Sequence, residues 1–149
     1  MRPLPMAGGM LETVVRALGK SDLFAALDDE QLRKVAARAR MLQASDAEAI
    51  LTEGDPAEAF FLVLSGEASV RGVLDGEVGR IGPADVVGEM GVLLGEPRSA
   101  TVVADGPMVL LRFEAAVFDA MFERIPGFGM AISRALARRL EAATRQLPP

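Results

Sequence analysis

The chain has 149 residues, half of them hydrophobic but only 5% aromatic, with seven Phe and no Trp or Tyr. At about 150 residues per domain this reads as one domain, long enough to bury a core without staples, and that core is expected from Val, Leu, Ile, Met and Ala. Sixteen Lys and Arg against twenty-one Asp and Glu leave a net charge of −5, the wrong sign for neutralising nucleic-acid phosphates, and the absence of Cys and His excludes disulfides, thiolate nucleophiles, Ser-His-Asp chemistry and Cys- or His-ligated metals.

Carboxylates, Lys and Arg remain for any chemistry, and a hard-cation site built from oxygen ligands stays open. No apolar run approaches the ~20 residues of a membrane span. Met1 to Met10 carries one Arg and no long apolar region, so it is not read as a signal peptide. A soluble protein of the cytoplasm is expected.

At the front, Leu11, Val14, Val15 and Leu18 follow helical spacing and stop at Gly19, a residue suited to a helix C-terminus. Ser21-Asp22-Leu23-Phe24 is expected to be a short capped turn presenting Leu23 and Phe24 to the core. A second helix carries Leu32, Val35, Ala36 and Ala39, entered through Asp28 with Gln31 three residues later, a capping box. Its acidic run Asp28-Asp29-Glu30 is read as first-turn acids rather than a metal cluster.

The middle reads as strands. Ten of the fifteen Gly lie between Gly54 and Gly106, which breaks this stretch into short segments. Gly54-Asp55-Pro56 is a turn, and Ala59 to Leu64 is a continuous apolar run of strand length. Ser65-Gly66-Glu67 is expected to turn it into Ala68-Ser69-Val70-Arg71, and Asp75-Gly76 to close a hairpin onto Val78 to Ile81. Thr101-Val102-Val103 and Met108 to Phe113 are expected to pair around Asp105-Gly106-Pro107. Several short strands at such intervals suggest a sandwich, a barrel or a jelly roll.

The tail returns to helices. Phe118, Met121, Phe122 and Ile125 share a face, and Pro126-Gly127 breaks that helix. A last helix carries Phe128, Ile132, Leu136 and Leu140 at four-residue steps, with Arg134, Arg138, Arg139 and Arg145 largely on other faces. Leu147-Pro148-Pro149 cannot continue it. No room is seen after it for a helix-turn-helix or a catalytic domain, so whatever the chain regulates is expected on another chain or through its own association.

One segment behaves as neither strand nor ordinary loop, Val86-Val87-Gly88-Glu89-Met90-Gly91-Val92-Leu93-Leu94-Gly95-Glu96-Pro97-Arg98-Ser99-Ala100-Thr101. Gly88 and Gly91 allow close backbone approach, and Glu89 to Leu94 can form a helical turn whose free amides face a phosphate. Pro97 fixes the chain before Arg98, a side chain suited to bidentate capture of a phosphate. Glu89 beside such a site needs its own donor, which a ribose hydroxyl supplies. Together the two residues call for a ligand with a hydroxyl and an anionic phosphate a few ångströms apart.

At these residues the chain resembles the cyclic nucleotide-binding domain family, found in catabolite activator proteins, regulatory subunits of cyclic-nucleotide-dependent protein kinases and nucleotide-gated channels. The family's phosphate-binding cassette, Phe-Gly-Glu followed by apolar residues, a spacer and Pro-Arg-(Ser/Ala/Thr)-Ala, corresponds here to Val87-Gly88-Glu89 and Pro97-Arg98-Ser99-Ala100-Thr101. Leu23-Phe24 before an Asp-led helix, Glu53-Gly54-Asp55 before a Phe-containing strand, and Leu64-Ser65-Gly66 also fall in family order. The likeness runs from about Leu18 to Leu140.

The resemblance implies a mainly β fold with flanking helices, a jelly roll (double-stranded β-helix) over 41–114 with N-terminal helices over 10–40 and two lid helices over 115–147. It implies that Glu89 accepts from a ribose 2′-hydroxyl, that Arg98 pairs with the cyclic phosphate, and that amides near Gly88, Glu89, Met90, Gly91, Ser99 and Ala100 complete the cradle. The family has Thr after the Arg where cGMP is preferred and Ala or Ser where cAMP is bound, so Ser99 points to cAMP, with cGMP as the alternative. Two positions depart from the pattern. Val87 replaces an aromatic and thins the pocket wall, and Gly91 replaces the usual Ala and is expected to loosen the turn. Val86, beside Val87, and Arg134, which could reach a bound purine, are further candidates for ligand contact, as are Phe128, Ile132 and Leu136, since the family's last helix closes over the base or forms a dimer seam.

The resulting expectation is a non-catalytic sensor with no cofactor, a cyclic nucleotide as ligand, an unidentified effector protein as partner, and a homodimer through the last helix as an option. The rival is a degenerate domain, with Glu89 and Arg98 as a structural ion pair, that serves only for dimerisation or docking. A cupin-like enzyme is disfavoured because such sites need several His.

Overall fold

The computed structural model describes residues 1–72 and 76–145. In chain order the elements are β1 (Arg2–Leu4), α1 (Met10–Lys20), α2 (Asp29–Ala36), β2 (Arg40–Ala44), β3 (Ala49–Leu51), β4 (Ala59–Gly72), β5 (Gly76–Ile81), β6 (Val86–Val87), α3 (Glu89–Leu94), β7 (Thr101–Glu114), α4 (Ala115–Arg124) and α5 (Phe128–Arg145). All strand pairs are antiparallel, in the order β1-β2-β7-β4-β5, with β3 on β7 and β6 on β4. The seven strands form the jelly roll, flanked by helices at both ends of the chain. The strand at Arg2–Leu4 extends the sheet in front of the stretch where the sequence placed it.

Two long strands replace four expected short ones. β4 runs through Ser65-Gly66-Glu67 without reversing, and β7 runs through Asp105-Gly106-Pro107 likewise. In both cases the halves expected to pair with each other are consecutive pieces of one strand, and β4 and β7 pair with one another instead. Register shifts in β4 between Val63 and Ser65 and between Ser65 and Glu67 are bulges that bend the ribbon into a roll. At the bend Gly66 has φ +88°, and a Cβ there would sit 2.5 Å from the Pro107 carbonyl oxygen, so only Gly lets the two strands touch. Asp75 of the expected hairpin pair Asp75-Gly76 lies outside the described residues, as does Leu147-Pro148-Pro149.

The apolar run of β4 serves two cores at once. Phe60 and Leu62, with Leu111 and Phe113 of β7, face the helices, while Ala59, Phe61 and Val63, with Met108 and Leu110, face the inside of the roll. Strand alternation with both faces covered produces a continuous hydrophobic stretch. The composition argument for an aliphatic core fails at the helical side. Phe24, Phe60, Phe113, Phe118, Phe122 and Phe128 form one ring network there, with Phe60 stacked on Phe113 at 4.9 Å. Few aromatics suffice when they are concentrated in one place.

The local signals at the front hold with one change. The Asp28 carboxylate accepts from the Gln31 N–H at 2.8 Å and the Gln31 side chain accepts from the Asp28 N–H at 2.8 Å, completing the capping box. Gly19 lies inside α1, and Ser21 ends the helix instead. Its hydroxyl donates to the Leu18 carbonyl at 3.0 Å and accepts from the Phe24 N–H at 3.2 Å, turning Leu23 and Phe24 into the core. Leu11 stays exposed. Among the described residues, no helix is long and apolar enough to cross a membrane, and no group of three or more acidic side chains could hold a metal ion.

Candidate functional site

The site is built where β6 leaves the roll. The Pro83-Ala84-Asp85 turn is sewn to β4, with the Ala84 N–H donating to the Val63 carbonyl at 2.8 Å and the Val63 N–H to the Asp85 carbonyl at 3.0 Å. Val86 and Val87 then pair with Leu62 and Phe61. Gly88, at φ +87°, swings the chain out of the strand and into α3, and Gly95, at φ +65°, ends that helix. A Cβ at Gly88 would lie 2.8 Å from Arg98 Nη1, so the glycine is also what admits the guanidinium.

The return loop is held from the opposite side. The Arg98 N–H donates to the Asp55 carbonyl at 2.8 Å and the Gly54 N–H donates to the Arg98 carbonyl at 2.9 Å. The Gly54-Asp55-Pro56 turn thus clamps the backbone of the residue that matters. The Arg98 side chain runs inward, donating from Nη1 to the Gly88 carbonyl at 3.0 Å and from Nη2 to the Ala59 carbonyl. It is 9% exposed. Burial, and then the like charge of Arg112, hold its pKa below the usual arginine value. Among the described residues Arg98 forms no ion pair; its side-chain hydrogen bonds go to two carbonyls, and the carboxylates of Glu58 and Asp55 act on its charge only from beyond ion-pair distance.

Glu89 opens α3 and is 8% exposed. It does not pair with Arg98. Its Oε1 accepts from Arg139 Nη1 at 2.7 Å, and the same guanidinium donates through Nε to Asp22 at 2.8 Å and through Nη2 to the other Asp22 oxygen. Arg139 therefore ties α5 both to the site and to the turn after α1. Its hydrogen bonds to Asp22, with the charge of Glu89, raise the Arg139 pKa above the usual arginine value, and the same bonds pull the Asp22 carboxyl below the usual carboxylate range.

A cavity of about 230 Å³ brings together Val87, Gly88, Glu89, Met90, Gly91, Arg98, Ser99 and Ala100. Leu94, Glu96 and Pro97 of the same segment also line it, and Leu51, Val70 and Val102 come from β3, β4 and β7, strands that no cassette pattern includes. Gly91 is not a loosening of the turn. A Cβ there would meet the Ala57 Cβ at 2.9 Å and the Glu96 carbonyl at 3.1 Å, so α3 sits flush against the loop before β4. Val87 is buried in the inner core.

The other candidates lie elsewhere. Val86 points to the outer, helical core, as strand alternation requires one residue before Val87. Phe128 and Ile132 are consumed by that core, Leu136 packs at its edge, and Arg134 is exposed. The stripe drawn at four-residue steps drifts by about 40° per step in a helix of 100° per residue. Leu140 consequently ends at 70% exposure. The buried line is Phe128, Ile132, Ala135 and then Arg139, which stay within about 60° of one another. That 4-3-4 spacing was the signal available for Arg139.

The domain is thus of the jelly-roll class, a rolled sheet that presents a buried acid and a buried guanidinium on one short glycine-bounded helix and its return loop. A family model described as the cyclic nucleotide-binding domain matches residues 41–125, more than half of the chain, and the chain belongs to that family. The cAMP-dependent protein kinase regulatory subunit of Yarrowia lipolytica is 32% identical over 114 residues, covering 76% of this chain and 30% of that protein. The chain thus spans less than a third of that relative's length. The regulatory domain of Toxoplasma gondii PKA, crystallised with cAMP, has a TM-score of 0.73 at 30% identity, covering 77% of this chain and 45% of the other. The N-terminal domain of a transcriptional regulator from Streptomyces coelicolor has a TM-score of 0.78 at 28% identity, covering 89% and 96%.

Proposed function

We propose that the chain binds cAMP in preference to cGMP and acts as a non-catalytic sensor whose last two helices report occupancy. The observation that carries this reading is Arg98, a guanidinium 9% exposed, without an acidic partner among the described residues, on the wall of a cavity that also holds Glu89. A buried cation hydrogen-bonded only to carbonyls favours an anion beside it, and the opening amides of α3 have no acceptor within their own helix. Glu89 adds an acceptor for a ribose hydroxyl. Ser99 follows Arg98 and is exposed, which supports cAMP over cGMP by the family pattern.

The latch through Arg139 supplies the coupling. A ligand hydroxyl arriving at Glu89 competes with or reinforces the 2.7 Å bond from α5, so the two states of the helix differ in their contacts with ligand, as a ligand-driven switch requires. The same bond favours one rival. A domain in which Arg139 permanently satisfies Glu89 would serve only for docking, and its self-association would ignore nucleotide. Calorimetric titration with cAMP and cGMP separates the two. Binding at micromolar or tighter affinity, stronger for cAMP, supports the sensor; no heat with either nucleotide, from a protein shown to be folded, rejects it.

A further inference from the structure

We propose that the groove between α2 and α4 is a docking site for an acidic, amphipathic helical segment of a partner protein. The groove encloses about 260 Å³. Its floor is apolar, made by Val117, Ala120 and Met121 of α4, and its rim is entirely basic, made by Lys34, Arg38 and Arg124. Met121 is buried in the helical core, so the floor is rigid. Among the described residues no acidic side chain lines the groove; of the acids of α4, Asp119 turns to the opposite side and Glu123 lies on the flank. The groove is therefore a local reversal of sign on a chain of net charge −5.

The rim cations are not committed to structural pairs. Lys34 meets Glu30 at 3.5 Å between exposed groups, a contact worth little in water. Arg38 and Arg124 are exposed and have no acidic partner among the described residues. Cations in a last helical turn complement the helix dipole, which accounts for Lys34 and Arg124. It does not account for Arg38, which lies beyond the end of α2, or for an apolar strip left open between all three. From Val117 to Ile125 the strip is about 12 Å long, two helical turns. That length suits a helix laid into a groove with apolar anchors at i, i+3 or i+4 and i+7, and acids flanking them. The groove shares no lining residue with the cavity of Glu89 and Arg98, so a partner and a nucleotide can be held together.

The test titrates the full chain, isotope-labelled for NMR, with a blocked synthetic peptide of about 14 residues carrying Leu at helical spacing and Glu elsewhere. An analogue with Lys in place of Glu and sodium octanoate serve as comparison probes. The expected result is saturable shifts at Ala37, Val117 and Ala120, at least about tenfold tighter for the acidic peptide and weakened several-fold between about 50 and 300 mM salt. The double variant Arg38→Glu with Arg124→Glu should lose at least tenfold in peptide affinity while its cAMP titration matches that of the parent. If that variant does not fold, the salt series on the parent chain decides. Equal binding of the Lys analogue, octanoate matching the peptide, shifts that follow protein concentration without peptide, or no shift at millimolar peptide each overturns the proposal. The third of these outcomes would give the face to a second copy of the chain.

Discussion

Replacing Arg98 by Met should separate binding from folding. The substitution removes two hydrogen bonds from a charged donor, one of 3.0 Å to the Gly88 carbonyl and one to the Ala59 carbonyl, together about 3–6 kcal/mol at about 1.5–3 each. It also removes a guanidinium that is 9% exposed with no acidic partner among the described residues, relieving a desolvation penalty of several kcal/mol. The Met chain keeps much of the packing of the arginine stem. The terms nearly cancel, so the nucleotide-free variant should unfold within about 1–2 kcal/mol of the parent, a shift of about 8 °C or less for a chain of this size. Affinity for cAMP has no such compensation. Losing the cation from a desolvated pair removes about 2–5 kcal/mol, a loss of about 30-fold or more. Calorimetric unfolding without nucleotide and isothermal titration with it read the two effects on one preparation. A fall in melting temperature of more than about 10 °C without nucleotide would make Arg98 a structural residue. An unchanged cAMP affinity would refute the phosphate role outright.

The latch should prove unequal at its two ends. In urea unfolding, a double-mutant cycle between Arg139→Met and Glu89→Gln should give a coupling of about 1.5–3 kcal/mol, because Glu89 is nearly buried. The cycle with Asp22→Asn should give under about 1 kcal/mol, since the Asp22 side chain is 65% exposed and screened. At Gly91, the substitution Gly91→Ala should destabilise by about 1–2 kcal/mol through the clash with Ala57, and Ala57→Gly should recover most of it in thermal melts. Gly66→Ala combines a positive φ with a 2.5 Å approach to the Pro107 carbonyl and should cost about 3 kcal/mol or prevent folding. The carboxyls of Asp22 and Glu114 are both held below their usual values by arginine partners. The stability they contribute is complete above their unfolded pKa and lost as pH falls through the folded one. Melting temperature should drop below about pH 4.5, less so in Asp22→Asn. With no His in the chain, side-chain titration should leave it flat between about pH 6 and 8.

Much of this was legible in order along the chain. Caps, turns and short-range spacing depend on neighbours a few residues apart, which is why the Asp28-Gln31 box, the Ser21 turn, the Pro126-Gly127 break and the α3 turn between Gly88 and Gly95 could be read directly. The cassette residues are likewise adjacent in sequence, so the bringing together of Glu89 and Arg98 on one short loop needed no knowledge of the fold. The misreadings of the strands share one cause. A glycine-rich tripeptide signals a departure from regular strand, and sequence cannot say whether the chain reverses, as expected at Ser65-Gly66-Glu67, or bulges and continues. The choice is made by the partner strand, here β7 bent at the same level.

The amino-acid sequence alone determined most of the element types, the chemistry available without Cys or His, and the pair of charges on which the proposed binding rests. Tertiary structure decided what those charges meet. It took Arg139 from a row of four similar arginines, because only the residue in line with Phe128, Ile132 and Ala135 faces inward, and set it on Glu89 and Asp22, 50 and 117 positions away. It turned Val87 into the pocket and Val86 away from it, and left Arg98 buried among carbonyls. Such pairings depend on how strands and helices close around a common core, where a rotation of about 100° per helical residue or a shift of one strand residue exchanges the buried face for the exposed one.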